Sequence, residues 1–559
     1  MPPYSKRHHD TTTPITAARV VLAIDVGTTT VRCLVLGREA NILSIASRPV
    51  ELEQPERNVA EICPERLWQS VRTLINEALI GAGCVITDVD TIGISVQRGT
   101  FTTWNRFTGE VLHKLITWKD RRSTALCAHW NRSFWLRALR RVSQFAYFFT
   151  RQTRFIGSSQ YELVPTLASA RLLWAIQNEP KLQEAISTNS ALFGTLDTYL
   201  AWRLSGGQIY ATDPSNACVT GLYDPFQMCW SNVLLLMFGI PESMLPEVRD
   251  TSGFFGYTDK QIVGAAVPIC ALAGDQSASM FGHCGFAKGN IKITMGTGTF
   301  INVNTGSRPY GSFSRGVYPV VGWMISGRTT YLIETSFFDS AAAVHFAVAN
   351  LQLAPHASQT SQIASSCAPF PGLSFVPAFS GLQAPENDTE AAACFIGLGV
   401  STTKPQMLRA VLESIAYKTH QLMHLLRRDT RTGGSSTSAN GGSHPYKRIN
   451  VDGGISNCDL ILRTLSSLEG GVPIARKYCS EMSALGAAFL AGLATGYFES
   501  IEDLEKAVGI KENIREPPNV EVRAMYRRWL RAVERSKKWY QHEFDEMALV
   551  KLSLVEKNI

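Results

Sequence analysis

The sequence predicts two related α/β halves facing each other across a cleft, and three observations carry that prediction. At 559 residues the chain is too long for a single core, so two domains are expected. Near the start it reads Val-Val-Leu-Ala-Ile-Asp25-Val-Gly27-Thr28-Thr29-Thr30-Val-Arg32-Cys-Leu-Val-Leu: an apolar β-branched run, a Gly/Thr turn and a second β-rich run. The same arrangement returns as Ile-Lys-Ile-Thr294-Met-Gly296-Thr297-Gly298-Thr299-Phe300-Ile-Asn-Val. Both read as strand–turn–strand. Glycine admits a ligand close to the backbone, while threonine hydroxyls and turn amides donate hydrogen bonds. Such donors without acids at the turn tip suit phosphate oxygens. A duplicated phosphate hairpin therefore implies an ATP-using, hinged protein of two domains, although either hairpin alone is also compatible with an ordinary turn.

The elements follow in order. A helical pattern covers 64–82, then comes the strand Thr91-Ile-Gly-Ile-Ser-Val. A polar-aromatic segment, Gln97-Arg98-Gly99-Thr100-Phe101-Thr102-Thr103-Trp104, leads to the loop Thr117-Trp118-Lys119-Asp120-Arg121-Arg122. Residues 145–160 are an aromatic, basic insert with no clear place in either half. Pro268-Ile-Cys-Ala-Leu-Ala-Gly274-Asp275-Gln276 reads as a buried strand, a sharp turn and a helix start. Residues 432–446 are rich in Gly, Ser, Thr and Asn and read as a flexible loop between a helix (404–428) and the strand and turn Arg448-Ile-Asn-Val-Asp452-Gly453-Gly454. These pieces predict a tail over 1–18, domains over 19–284 and 285–545, and a second tail over 546–559.

Composition narrows the classes. Hydrophobic residues at 45% and charged residues at 18% fit a globular protein with a large interior. The net charge of +7 is modest. Its densest basic stretch, near Tyr526 and Lys537, lies on a helix whose Val522, Met525, Trp529 and Val533 recur at helical spacing. That reads as a docked helix with a solvated basic face in preference to a nucleic-acid surface. The 12 cysteines show no C-x-x-C pair, so zinc is not expected. Cys33, Cys270 and Cys394 sit in apolar runs, as buried thiols of a reducing compartment do. No run is long enough for a transmembrane helix, and the first residues lack a secretory signal, so a cytoplasmic protein is expected.

An ordered set of motifs resembles the FGGY family of sugar and polyol kinases, and most of all its glycerol-kinase members. The set comprises Ile24-Asp-Val-Gly-Thr-Thr-Thr, Gln97-Arg98 with Trp118, Gly194-Thr-Leu-Asp197-Thr, Ala211-Thr-Asp213-Pro-Ser-Asn216-Ala and Ala273-Gly-Asp275-Gln276. It continues through Met295-Gly-Thr-Gly298-Thr, Pro377-Ala-Phe-Ser-Gly-Leu-Gln-Ala-Pro385, Gly397-Leu398 with Gln406 and Glu413, Val451-Asp-Gly-Gly454, and Ala484-Leu-Gly-Ala-Ala-Phe-Leu-Ala-Gly492. The resemblance implies two ribonuclease H-like (actin/hexokinase-type ATPase) domains with an interdomain active-site cleft. It also implies phosphorylation of glycerol to sn-glycerol 3-phosphate by ATP with Mg²⁺, and a homo-oligomer.

Phosphorylating an alcohol needs a base, a metal for the triphosphate charge and donors along the phosphates. By resemblance, Asp275 is the general base, and Asp25 holds Mg²⁺ through water. Thr28, Thr29 and Arg32 meet the transferred phosphate; Thr297 and Gly298 meet the inner phosphates. Gly453 and Gly454 lie close to adenosine, with Asn457 or Cys458 at the adenine register. Asp275 also reads as a helix cap, Asp25 as a turn-stabilising acid and the glycine pair as a plain turn. The acceptor set of Arg98, Trp118, Asp275, Gln276 and Phe300 matches the glycerol kinases, but Gly99 stands where a Glu is usual and Thr166 where a Tyr is. Ala341 replaces a Gly and His345 a Gln on the nucleotide side. Lost hydroxyl partners cost about 1–3 kcal/mol each. A kinase for another polyol or sugar, or a nucleotide-gated binding protein of low turnover, therefore stands beside the glycerol kinase reading.

Overall fold

The computed structural model describes residues 19–56, 58–312, 314–432 and 446–540. The tails expected over 1–18 and 546–559, and nearly all of the loop expected over 432–446, lie outside the described residues. A 13-stranded sheet runs through both halves of the molecule. In the first half its strand order is Ile42–Pro49, Thr30–Leu36, Val20–Val26, Val89–Val96, Pro268–Gly274 and Ser252–Tyr257. In the second it is Tyr318–Ile325, Arg328–Phe337, Thr299–Gly306, Ile291–Met295, Ile449–Asp452, Ile474–Lys477 and Ile510–Ile514. Among the described residues, the two parts of the sheet are joined by the single pairing of Ser252 with Ile325.

The halves repeat one plan. Each opens with an antiparallel hairpin, Val20–Leu36 and Ile291–Gly306. The first strand of each hairpin is continued by two parallel strands, and an antiparallel strand closes the run. Strands buried on both faces are continuous apolar runs; every residue of Val20–Val26 is buried. The expected helices form as Pro64–Gly81, Lys404–Thr432 and Val520–Ser536. Trp529 of the last is fully buried and donates its indole N–H to the Phe375 carbonyl at 2.9 Å, so that helix is docked. A smaller five-stranded sheet carries Phe101–Asn105 and Leu115–Ile116 on the first half, with a group of helices that includes Phe134–Thr150 and Arg154–Ser159. Cys33 and Cys270 are buried as expected, Cys394 only partly, and all 12 cysteines are free thiols. Among the described residues no helix is long and apolar enough to cross a membrane.

The halves are locked by two helices. Asp275–Gly282 follows directly from the strand Pro268–Gly274, and Met482–Thr495 comes from the second half. Their backbones touch because side chains are missing at the contact. A Cβ at Gly486 would overlap the Ala278 carbonyl, one at Gly282 the Met482 carbonyl, and one at Gly93 in the sheet beneath the Ala487 carbonyl. Helix propensity alone predicts that Gly486→Ala stabilises by about 1 kcal/mol. Overpacking predicts the opposite sign, a loss of about 1–3 kcal/mol. We expect a lower thermal midpoint for Gly486→Ala by scanning fluorimetry, and a raised midpoint contradicts this packing.

Candidate active site

The first hairpin places Asp25 opposite Arg32 across its two strands. Arg32 Nη1 lies 3.5 Å from Asp25 Oδ2, and its Nε lies 2.7 Å from Glu481 Oε2, just before the helix Met482–Thr495. Asp25 Oδ1 is buried and has no hydrogen-bond partner among the described residues. Burial pushes the Asp25 carboxyl up to about 7 against the pull of Arg32. At the turn tip, Thr28 Oγ1 accepts a hydrogen bond from Trp118 Nε1 at 3.0 Å, while Thr29 is exposed.

Asp275 is the first residue of its helix, so it stands at the end of a buried strand. Gly274 before it is needed for space: a Cβ there would lie 2.7 Å from Arg98 Cδ. The Gly274 N–H donates to Ser215 Oγ at 2.8 Å, and Ser483 Oγ donates to the Asp275 carbonyl at 3.0 Å. The helix-cap reading of Asp275 does not hold, because Gly274 is the cap residue and Asp275 is already helical; Asp275 Oδ1 accepts the neighbouring Gln276 N–H at 2.8 Å. Arg98 Nε lies 3.6 Å from the same oxygen. Burial raises the Asp275 pKa, with Arg98 and then Lys292 opposing. Gln276 Oε1 in turn accepts from Lys292 Nζ at 2.6 Å, and that ammonium also donates to Thr294 Oγ1 at 2.6 Å. Lys292 is fully buried, and burial brings its pKa down to about 8.

Three parts of this corner were not singled out from the sequence. Glu334, on the second half, accepts both of its contacts with Arg98 from Nη2, at 2.7 and 2.6 Å, and a third bond from Asn302 Nδ2 at 2.7 Å. This buried ion pair joins the halves, and Arg98 Nη1 remains buried without a partner among the described residues. Phe338 completes an aromatic wall with Trp118 and Phe300, at ring separations of 5.6 Å and 6.3 Å. Trp118 and Phe300 meet edge-on at 6.3 Å. Finally, Ser279 Oγ donates to Asp452 Oδ2 at 2.5 Å, and His283 Nε2 lies 3.3 Å from that oxygen. Burial opposes ionisation of Asp452, yet His283 and Lys292 hold it down to about 2.

The two departures in the acceptor set meet at one buried arginine. Gly99 has φ +74°, and its carbonyl accepts from Arg171 Nη2 at 2.8 Å. The Thr166 carbonyl accepts from the same nitrogen at 2.8 Å. Arg171 is fully buried and also donates to the carbonyls of Ile116 and Pro165, at 3.0 and 2.9 Å. A buried arginine saturated by carbonyls thus occupies the ground beside Gly99.

On the nucleotide side, the tip of the second hairpin is pressed on both flanks. The Ala341 N–H donates to the Thr297 carbonyl at 3.2 Å, and a Cβ at Gly298 would lie 3.0 Å from the Phe337 carbonyl. Gly453 has φ +85°, and a Cβ there would lie 2.5 Å from the Met295 carbonyl. A Cβ at Gly454 would meet nothing within 4 Å, so open space lies beside its backbone. The Cys458 side chain is buried in the apolar core of the second half.

Residues 20–282 match the N-terminal domain, and residues 291–495 the C-terminal domain, of the FGGY family of carbohydrate kinases. The chain belongs to that family. Among its relatives, a protein named glycerol kinase 5 from Danio rerio is 41% identical over 527 residues, covering 93% of this chain and 97% of its own. A glycerol kinase from Dechloromonas aromatica is 34% identical over 521 residues, covering 93% of this chain and 98% of its own. The crystal structure of Plasmodium falciparum glycerol kinase with ADP superposes with a TM-score of 0.80 at 25% identity, covering 93% of this chain and 98% of that one.

The arrangement around Arg171 makes Gly99→Glu a test. A glutamate there sits on left-handed backbone beside a buried guanidinium, at a cost of about 1–3 kcal/mol. The variant is expected to melt earlier in differential scanning calorimetry; an unchanged melting temperature contradicts the assignment.

Proposed function

We propose that this kinase transfers the γ-phosphoryl group of ATP to a terminal hydroxyl of glycerol, forming sn-glycerol 3-phosphate. The observation that carries the reading is the convergence of Asp275, Arg98 and Gln276 with the Trp118–Phe300–Phe338 wall at the seam of the two halves. The names of the relatives support the same acceptor. Glycerol offers a short carbon chain for the aromatic wall and hydroxyls for Asp275 and the free Arg98 Nη1. Asp275, ionised, takes the proton of the attacking hydroxyl. Its raised pKa brings it closer to working pH, where a general base is most effective. Arg32 and Thr28 face the transferred phosphoryl group, and Thr297 and Gly298 the inner phosphates. Adenosine lies along Gly454, with Ala341 and the exposed Asn457 flanking it, since the Cys458 side chain is turned into the core. Removing water from this seam favours transfer to the alcohol over hydrolysis.

Asp25 fits a divalent cation such as Mg²⁺. Its buried Oδ1 has no partner, and among the described residues no cluster of three or more His, Cys, Asp or Glu could hold a metal alone. One carboxylate completed by phosphates and water is the usual Mg²⁺ arrangement. When bound, the cation neutralises charge on the triphosphate. The free thiols support a cytoplasmic setting. Gly99 favours a second reading, in which a different polyol or a sugar is the acceptor.

In coupled ADP-release assays with glycerol, Asp275→Asn is expected to lower kcat about 10²–10⁴-fold while ATP binding persists. Wild-type turnover in that variant overturns the base assignment. The pH profile supplies a second test. Because the base works ionised and its pKa is raised, kcat/KM falls with falling pH along a limb above the ordinary carboxylate range. A profile flat down to pH ~4 contradicts it.

A further inference from the structure

Residues 121–161 contain eight arginines and no aspartate or glutamate. At their centre is the helix Phe134–Thr150, capped by Ser133, whose Oγ accepts the Leu136 N–H at 3.3 Å. One face holds the helix to the protein: Leu136 and Ser143 are buried, and Arg140 donates to the Tyr161 carbonyl and to Asn131 Oδ1 at 2.8 and 2.9 Å. The opposite face carries a second apolar stripe. Phe134, Val142, Phe145 and Phe149 follow helical spacing along it, with Trp135 at its edge, and each is 65–69% exposed. The rings pair at the two ends of the stripe, Phe134 with Trp135 at 5.6 Å and Phe145 with Phe149 at 4.7 Å. Exposed Arg132, Arg137, Arg141 and Arg151 border it, and none forms an ion pair among the described residues.

We propose that this helix docks the enzyme on the surface of an anionic phospholipid bilayer. An outward stripe of Phe and Trp bordered by arginines is the composition of a helix lying in the membrane interface. The cytoplasmic leaflet supplies the opposite charge. A second copy of the chain is a poorer occupant, because it would set one acid-free arginine cluster against another. The arrangement places the helix on the bilayer as a peripheral anchor, with its inner face still holding the kinase.

The test is co-sedimentation of the full chain with phosphatidylcholine vesicles prepared with and without phosphatidylserine. The wild type is expected to pellet with the phosphatidylserine vesicles and to be released by high salt. The variants Phe145→Ser/Phe149→Ser and Arg137→Glu/Arg141→Glu are each expected to reduce vesicle partitioning about tenfold, with kinase activity in solution retained as the control for folding. Failure of the wild type to bind, equal binding to pure phosphatidylcholine, or binding unchanged in both variants overturns the proposal. So does a wild-type oligomer that dissociates in the double Phe variant without any lipid binding.

Discussion

The site rests on one close approach, where the helices Asp275–Gly282 and Met482–Thr495 meet backbone to backbone through Gly282 and Gly486. That contact brings the start of both helices to one point. Asp275 begins the first, and its carbonyl is tied by Ser483 of the second. Glu481, immediately before the second helix, holds Arg32, which stands against Asp25 of the first hairpin. From the other end of the first helix, Ser279 and His283 reach Asp452 beside the turn at Gly453. Any side chain at the crossing would separate Asp275 from Asp25 and Arg32 of the first hairpin and from the turn at Gly453 together.

Charge balance sets the second constraint. Asp25, Asp275, Glu334 and Asp452 are brought to the seam with Arg32, Arg98 and Lys292. Burying an ionised group is costly unless it is paired. Among the described residues the pairing is incomplete at three atoms of these groups, Asp25 Oδ1, Arg98 Nη1 and Asp452 Oδ1. The Arg98–Glu334 pair also bears on the missing acid at Gly99: the carboxylate beside Arg98 comes from the opposite half of the molecule.

The parts legible in the sequence are those whose chemistry is local. The hairpins are visible because a Gly/Thr turn between β-branched runs needs no distant partner. Asp25 and Asp275 are visible because each sits where an apolar strand ends. Glu334 and Lys292 each interrupt an apolar strand, in Leu-Ile-Glu334-Thr and Asn-Ile-Lys292-Ile, and a charge there demands a partner. Which partner depends on sheet order across the two halves, and that is not written locally. Arg171 looks like any helical arginine until the carbonyls of Gly99, Ile116, Pro165 and Thr166 converge on it. The insert at 145–160 resisted placement because its helix is apolar on two faces, so periodicity alone could not choose the inward one.

The most direct measurement of the central claim is the specificity constant for glycerol against a panel of polyols and sugars, read by ADP release with Mg·ATP. The account predicts the highest kcat/KM for glycerol, with sn-glycerol 3-phosphate as the product. A higher value for a longer polyol or a sugar, or ATP binding without turnover on any acceptor, contradicts it.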